Sequence, residues 1–401
     1  MRLAVYSDYA YRRRGDEVWA DEAVMLFLVE LERWLAGVTL IGRLDPEPGR
    51  CRYRVPTGID FVALPHYPSL ARPHRVLGAF AESVRVFWGS LDQVDAVWLL
   101  GPHPFGVPFA LLARARGRRV ALGVRQDLPV YVSHRHPGNR SLRLFALALE
   151  GAWRLLGRFF AVVVVGPDLA RRYRRAHRLL PISISLVAES AIASERDAEV
   201  RDYTGPIEIL SVGRVDAEKN PLLLADVMAE LAADGRDWRL TVVGDGDLTD
   251  ELEQRARTLG VADRVKLAGF IALDDGLLER YRSSHLLLHC SWTEGVPQVL
   301  LEAFAARLPI VATAVGGVPD AAAGAAELVP PGNARAAATA VRRIVGDPEL
   351  RRELTREGAA RAHENSMEAV TRQVASFLSL GHPTARERRR PRPDRRRREG
   401  R

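Results

Sequence analysis

The chain reads as an α/β protein of two domains, each built on a parallel sheet with helices on both faces. Three observations predict this. Its 401 residues, 47% of them hydrophobic, exceed one ordinary domain and suit two of roughly 150–200 residues. Short β-rich runs alternate with longer amphipathic stretches, a pattern that requires crossover connections. Between the halves lies a polar, charged stretch, residues 189–206, which ends in Gly205-Pro206 just before a strong strand.

Leu3–Tyr6, Val94–Leu100, Val120–Val124 and Ala161–Val165 are the strands expected in the first half. Ile207–Val212, Arg239–Val243, Val265–Leu267, Leu286–His289 and Ile310–Ala312 are those of the second, with helices over 222–233, 249–259, 298–307 and 334–345. The expected domains are 1–190 and 205–365. A C-terminal helix over 366–380 is expected to pack back on the first domain. Ligands of such sheets bind beyond the carboxyl ends of strands, often at helix N-termini.

The net charge of +8 is concentrated in a tail: residues 386–401 hold ten arginines and three acids, a net +7, which leaves about +1 for the rest. A tail over 381–401 of this Arg- and Pro-rich composition is expected to be disordered and solvated. Peripheral contact with an anionic membrane is its alternative role. With no aromatic residue in the tail and no basic stripe in the body, nucleic acid is not an expected partner. Cys51 and Cys290 lie far apart without metal-ligand spacing, and neither a signal peptide nor a membrane span is apparent. A cytoplasmic location is expected, with membrane association on the cytoplasmic face if the tail acts as a tether.

The second half carries the chemistry. Its first strand runs into SVGRVDAEKNP, where Gly213 lets the backbone approach a ligand and Arg214 and Lys219 bracket the turn. Pro221 fits the first turn of a helix, with Asn220 as its cap. Two cations at a helix start suit a diphosphate, although loop cations are as readily solvated. In HCSWTEGVPQVLLEAFAARLPIVAT, Glu294 falls in a loop and Glu302 on the helix that follows, eight residues on, about 12 Å of helical rise. Amides from Gly295 to Val299 and the positive helix end would face phosphates. Glu302 interrupts an apolar stretch, so it either points outward or is held by a hydrogen-bond partner. Gly244-Asp245-Gly246 is a nucleotide-binding turn or a plain strand-to-helix turn. Gly316-Gly317, after another strand, reads as a flexible turn. No paired-Asp motif for a metal is evident, Asp245 and Asp247 being the nearest, and no cofactor is expected.

GRVDAEKN, VVGDGDLTDEL, the two glutamates of SWTEGVPQVLLEAFAARLPIVAT, GGVPD and LVPPGN follow one another in the order found in a known family. The chain resembles the retaining nucleotide-sugar glycosyltransferases of family 4 (glycosyl transferases group 1), strongly over 207–333 and loosely elsewhere. The resemblance implies the GT-B fold, two Rossmann-like domains whose parallel sheets face a central cleft. It implies that Arg214 and Lys219 bind the donor diphosphate, and that Glu294 orients the sugar with help from amides at Gly295 and Val296. It implies that Glu302 holds the ribose and that the Gly269–Ile271 loop, with Phe270, lies near the base. It further implies a sugar nucleotide as partner and retention of anomeric configuration; with no paired-Asp motif, and with Arg214, Lys219 and a helix N-terminus to neutralise the diphosphate, a metal-independent reaction is expected.

The first half departs from the family. Instead of a Gly-Gly turn after the first strand it has SDYAYRRRGDEVWADE, in which Gly15 is the nearest candidate for phosphate approach, with Arg12 to Arg14 adding charge. The P-N-G-V-D turn near the junction is replaced by LVAESAI. His103, between two prolines after a strand, resembles the family's cleft histidine that contacts the sugar, or is a structural histidine. Arg125-Gln126-Asp127 ends another strand and is an acceptor-binding candidate or a plain ion pair. His134 and His136 read as loop residues. An inactive sugar-nucleotide-binding partner protein and a same-fold epimerase are the competing functions.

Overall fold

The computed structural model describes residues 1–380 except 22, 23, 48, 50, 69–72, 137, 273 and 274, so the Arg-rich tail lies outside the described residues. The chain divides into two units. The first comprises Met1–Val164, Leu169–Pro181 and the chain from Thr371 on; the second comprises Val165–Asp168 and Ile182–Val370.

The first unit holds strands β1 (Arg2–Arg14), β2 (Glu17–Ala20), β3 (Gly37–Leu44), β4 (Tyr53–Arg54), β5 (Asp60–Leu64), β6 (Ala96–Gly101), β7 (Arg119–Val124), β8 (Ala161–Val165) and β9 (Arg178–Ile182). Parallel pairing runs β5-β3-β1-β6-β7-β8. Such strands are covered on both faces and read as unbroken apolar runs; Leu3 to Tyr6 of β1 and Val97 to Leu99 of β6 are accordingly buried. The core beside them is aromatic, with Phe87 and Phe109 stacked 4.0 Å apart and Trp153 fully buried.

The polar stretch expected to leave β1 as a ligand loop stays in the strand instead. Beyond Tyr6 the strand continues through Arg14 and folds back antiparallel onto β2, pairing Arg14 with Glu17. Gly15, at φ 59°, makes that hairpin turn rather than a strand-to-helix turn.

The second unit holds β10 (Ile207–Val212), β11 (Trp238–Val243), β12 (Val265–Leu267), β13 (Leu286–His289), β14 (Ile310–Thr313) and β15 (Glu327–Val329), all parallel in the order β12-β11-β10-β13-β14-β15. The order reverses between β10 and β13, and such a switch point opens a crevice at the strands' carboxyl ends.

The stretch 189–206 belongs to the second unit and is ordered there. Ser194 caps helix Glu195–Glu199 in a capping box. Arg201 donates to the carbonyls of Ala306 and Arg307, which end helix Gln298–Ala305. Polar composition suggested a linker; these residues are polar because they satisfy the open carbonyls of a neighbouring helix end. At the other end, helix Met367–Ser379 passes into the first unit at Thr371, where Arg119 and Arg178 donate to the carbonyls of Ser379 and Phe377. Among the described residues no helix is long and apolar enough to cross a membrane.

Candidate functional site

The loops that follow β10 and β13 leave the sheet on either side of the switch point, and they carry the charged residues singled out above. Gly213 follows β10 at φ 153°; the space where a side chain would start is empty within 4 Å, while its amide donates to the Val243 carbonyl at 3.0 Å. The loop then makes a short 3₁₀ turn, Ala217–Lys219. Asn220 ends that turn in the left-handed region, at φ 49°, and does not cap the next helix; helix Leu222–Ala232 begins at Pro221 without a side-chain cap. Asn and Gly tolerate that conformation, which explains the residue type.

After β13 the chain turns through Ser291 and Trp292 to Glu294 and enters helix Gln298–Ala305 at Pro297. Lys219 Nζ lies 2.6 Å from Glu294 Oε1, Ser291 Oγ donates to the same oxygen at 2.6 Å, and His289 Nε2 lies 2.9 Å away. Three donors therefore converge on Oε1, while Oε2 has no hydrogen bond among the described residues. Burial alone would push this carboxyl up; His289 and Lys219 outweigh it and hold the value down at about 2, so Glu294 is an anion. The Trp292 amide donates to the Glu218 carbonyl at 2.9 Å, tying the two loops together.

Lys219 is thus joined to Glu294, and Arg214 is paired with Asp216 and Glu218 of its own loop while remaining 64% exposed. Glu302 is held by a partner rather than turned outward: the fully buried Tyr281 donates to its Oε2 at 2.7 Å, and burial pushes the carboxyl upward. Val296 and Val299 are partly buried and Gly295 is exposed. In the first turn of helix Gln298–Ala305 the Leu300 amide donates to the Pro297 carbonyl at 3.2 Å, and the amides before it lack intrahelical partners, as at any helix start.

Two glycine pairs read as turns from sequence serve close backbone packing. A side-chain carbon on Gly244 would meet the Gly213 carbonyl oxygen at 1.9 Å, so the loop after β11 rests against the loop after β10. On Gly316 and Gly317 it would meet the carbonyl oxygens of Glu294 and Gly295, each at 1.9 Å, and the Gly317 amide donates to the Glu294 carbonyl at 3.2 Å. Gly316-Gly317 is therefore the wall that fixes the Glu294 backbone, not a loose turn. Asp245 accepts the Phe270 amide at 3.2 Å, and Phe270 itself is exposed.

Gly15 and His103 belong to the first unit, as does a cluster that sequence reasoning missed. His103 is buried, with Nδ1 2.9 Å from Tyr6 Oη and Nε2 3.1 Å from both Tyr67 Oη and Asp8 Oδ2. The Phe105 amide also reaches Nδ1, at 3.3 Å, which assigns the ring proton to Nε2, facing Asp8. Asp8 further accepts from Tyr67 Oη at 2.5 Å and lies 3.0 Å from Arg43 Nε. Burial would raise the Asp8 carboxyl; His103 and Arg43 bring it below its ordinary value. Both nitrogens of His103 are engaged, so a sugar hydroxyl could reach the ring only by replacing one of these partners. Arg125 donates to Tyr9 Oη, and Asp127 caps helix Leu128–Arg135 and pairs with Arg172 at 2.5 Å. His134, expected in a loop, lies within that helix, and His136 follows its end.

Residues 194–361 match the family described as Glycosyl transferases group 1. Alpha-D-kanosaminyltransferase of Streptomyces kanamyceticus is 33% identical over 212 residues, 51% of this chain and 54% of that one. The 2-deoxystreptamine glucosyltransferase of the same organism is 33% identical over 146 residues, 36% of this chain and 37% of that one. The chain thus spans about half or less of the curated relatives it matches. Among solved structures, Anabaena Alr3699/HepE in complex with UDP superposes with a TM-score of 0.69 at 18% identity, covering 94% of this chain and all of that one. Sucrose-phosphate synthase from Thermosynechococcus elongatus does so at 0.68 and 19% identity, covering 94% of this chain and 98% of that one. These likenesses carry the fold of both units, and the motif order carries the family of the second. Residues 194–361 form a glycosyl transferases group 1 domain, set in a chain with the two-unit GT-B fold.

Proposed function

We propose that the chain is a retaining glycosyltransferase of family 4 that moves a sugar from a nucleoside diphosphate sugar to an acceptor hydroxyl without a metal ion. The observation that carries this reading is Glu294. It is anionic, fixed through Oε1 by Lys219, Ser291 and His289, and left with Oε2 to accept hydroxyls of a ligand. Sugar hydroxyls suit such an acceptor.

A diphosphate would compete with Asp216 and Glu218 for Arg214 and with Glu294 for Lys219. Its charge grows as the bond from the anomeric carbon to the β-phosphate oxygen breaks, so these cations and the amides from Gly295 to Val299 favour the transition state. The acceptor oxygen forms the new bond on the face that the diphosphate leaves, and its proton passes to the departing phosphate. Glu302, held by Tyr281, is assigned to the ribose, and the exposed Phe270 to the base. Uridine diphosphate sugars are the first donors to test, because similar Anabaena structures hold UDP, and UDP-glucose.

The test is a transfer assay on the full chain with a panel of nucleoside diphosphate sugars and a pool of hydroxyl acceptors, in the presence of EDTA. Acceptor-dependent release of nucleoside diphosphate and a product of retained anomeric configuration by NMR are expected. Abolition by EDTA with recovery in Mn²⁺ would remove the metal-free part of the proposal, and an inverted product the retaining part. Conversion of the donor to another nucleotide sugar without acceptor would mark an epimerase.

A further inference from the structure

Helix Arg140–Gly157, with the sequence RSLRLFALALEGAWRLLG, carries two apolar faces where a surface helix of a soluble domain ordinarily carries one. One face, Ala146, Leu149, Trp153 and Gly157, packs into the first unit. The other is open: Leu144, Leu147 and Leu155 are 66%, 49% and 53% exposed, and Phe159 just beyond is 65% exposed. Leu144, Leu147, Gly151 and Leu155 recur at helical spacing, so they form one stripe rather than scattered exceptions.

Arginine flanks the stripe. Arg140, Arg143, Arg154 and Arg158 are exposed, and the helix's one acid, Glu150, is on the buried face, where burial pushes its carboxyl upward toward the neutral form. At the C-terminal half a depression of about 180 Å³ is lined by Arg154, Arg158, Arg172, Arg175 and Tyr173, with Leu155 joining it to the stripe and no carboxylate in its wall among the described residues. Arg172 is paired with Asp127, whereas Arg154, Arg158 and Arg175 form no salt bridge among the described residues.

We infer that this face docks the first unit onto an anionic phospholipid surface, with the leucines and Phe159 entering the headgroup boundary and the arginine depression receiving a lipid phosphate. The two features call for one occupant that is apolar beside an anion, which a phospholipid is. A second copy bound through the same face would set arginine against arginine, because a two-fold interface meets itself. The residues of this face belong to the first unit and those assigned to the sugar nucleotide belong to the second, so the inference does not rest on that reading.

Flotation of the full chain with vesicles of phosphatidylcholine alone, or mixed with phosphatidylglycerol, tests it. Wild type is expected to bind the mixed vesicles and not the neutral ones. Two triple variants, Leu144→Ser/Leu155→Ser/Phe159→Ser and Arg154→Ala/Arg158→Ala/Arg175→Ala, alter exposed side chains and are expected to melt as wild type does. Each should bind mixed vesicles at least tenfold more weakly; near-surface arginines contribute about fivefold apiece at low salt. Absence of wild-type binding overturns the inference. Unchanged binding in both variants also overturns it and assigns attachment to the tail at 381–401. A serine variant that turns a dimer into a monomer by sedimentation velocity, with vesicle binding intact, overturns it in favour of a second copy.

Discussion

Glu294 gathers three donors on one oxygen, and a carboxylate so held resists protonation. Its folded value of about 2 lies below its ordinary 4.5. The stability it lends is therefore complete above about pH 4.5 and lost as the pH falls through 2, on the order of 3 kcal/mol in all. Urea unfolding of wild type and Glu294→Gln checks this. The variant should be the less stable at pH 7, and the gap should narrow progressively below pH 4.5. A gap independent of pH would mean that the carboxylate is not held as described. At this scale the sequence displayed the glutamate and the lysine but not their union, which depends on where two loops far apart in the chain meet. His289 was legible in principle as a polar residue ending an apolar strand. The Asp8 cluster was not, because Asp8, Arg43, Tyr67 and His103 come from four segments that only the sheet order assembles.

At the scale of elements, the parallel strands of the second unit were legible because buried strands are written as short runs of Val, Ile and Leu. The hairpin at Gly15 and the ordered stretch 189–206 were not, since polar residues that satisfy backbone groups look like loops. The glycine pairs show the same limit: a tight turn and a close backbone contact use the same residue for different reasons. Gly316 and Gly295 separate the two. Gly316→Ala places a carbon 1.9 Å from the Glu294 carbonyl at a backbone of φ 51°, so it should cost about 1–3 kcal/mol. Gly295→Ala meets nothing within 4 Å and should change stability by about 0.5 kcal/mol or less. Equal urea midpoints for the two variants would show that the loops do not press together as described.

For the whole molecule, the two units differ in how much they reveal. The second carries its motifs in order on loops at the carboxyl ends of one parallel sheet. The first shares the fold while departing from the expected motifs, and there His103 is enclosed by Tyr6, Asp8 and Tyr67. Lys219, in the loop after β10, and Glu302, on helix Gln298–Ala305, are the residues proposed to bind a nucleoside diphosphate. Thermal melts of wild type, Lys219→Ala and Glu302→Ala with a panel of nucleoside diphosphates in EDTA test this most directly. A ligand at a hundred times its Kd stabilises the folded state by about 2.7 kcal/mol, enough to raise the melting temperature by several degrees. At least one nucleotide is expected to do so for wild type, and both variants are expected to fold yet lose most of the shift. A panel without effect on wild type, or variants that shift as far as wild type, would contradict it.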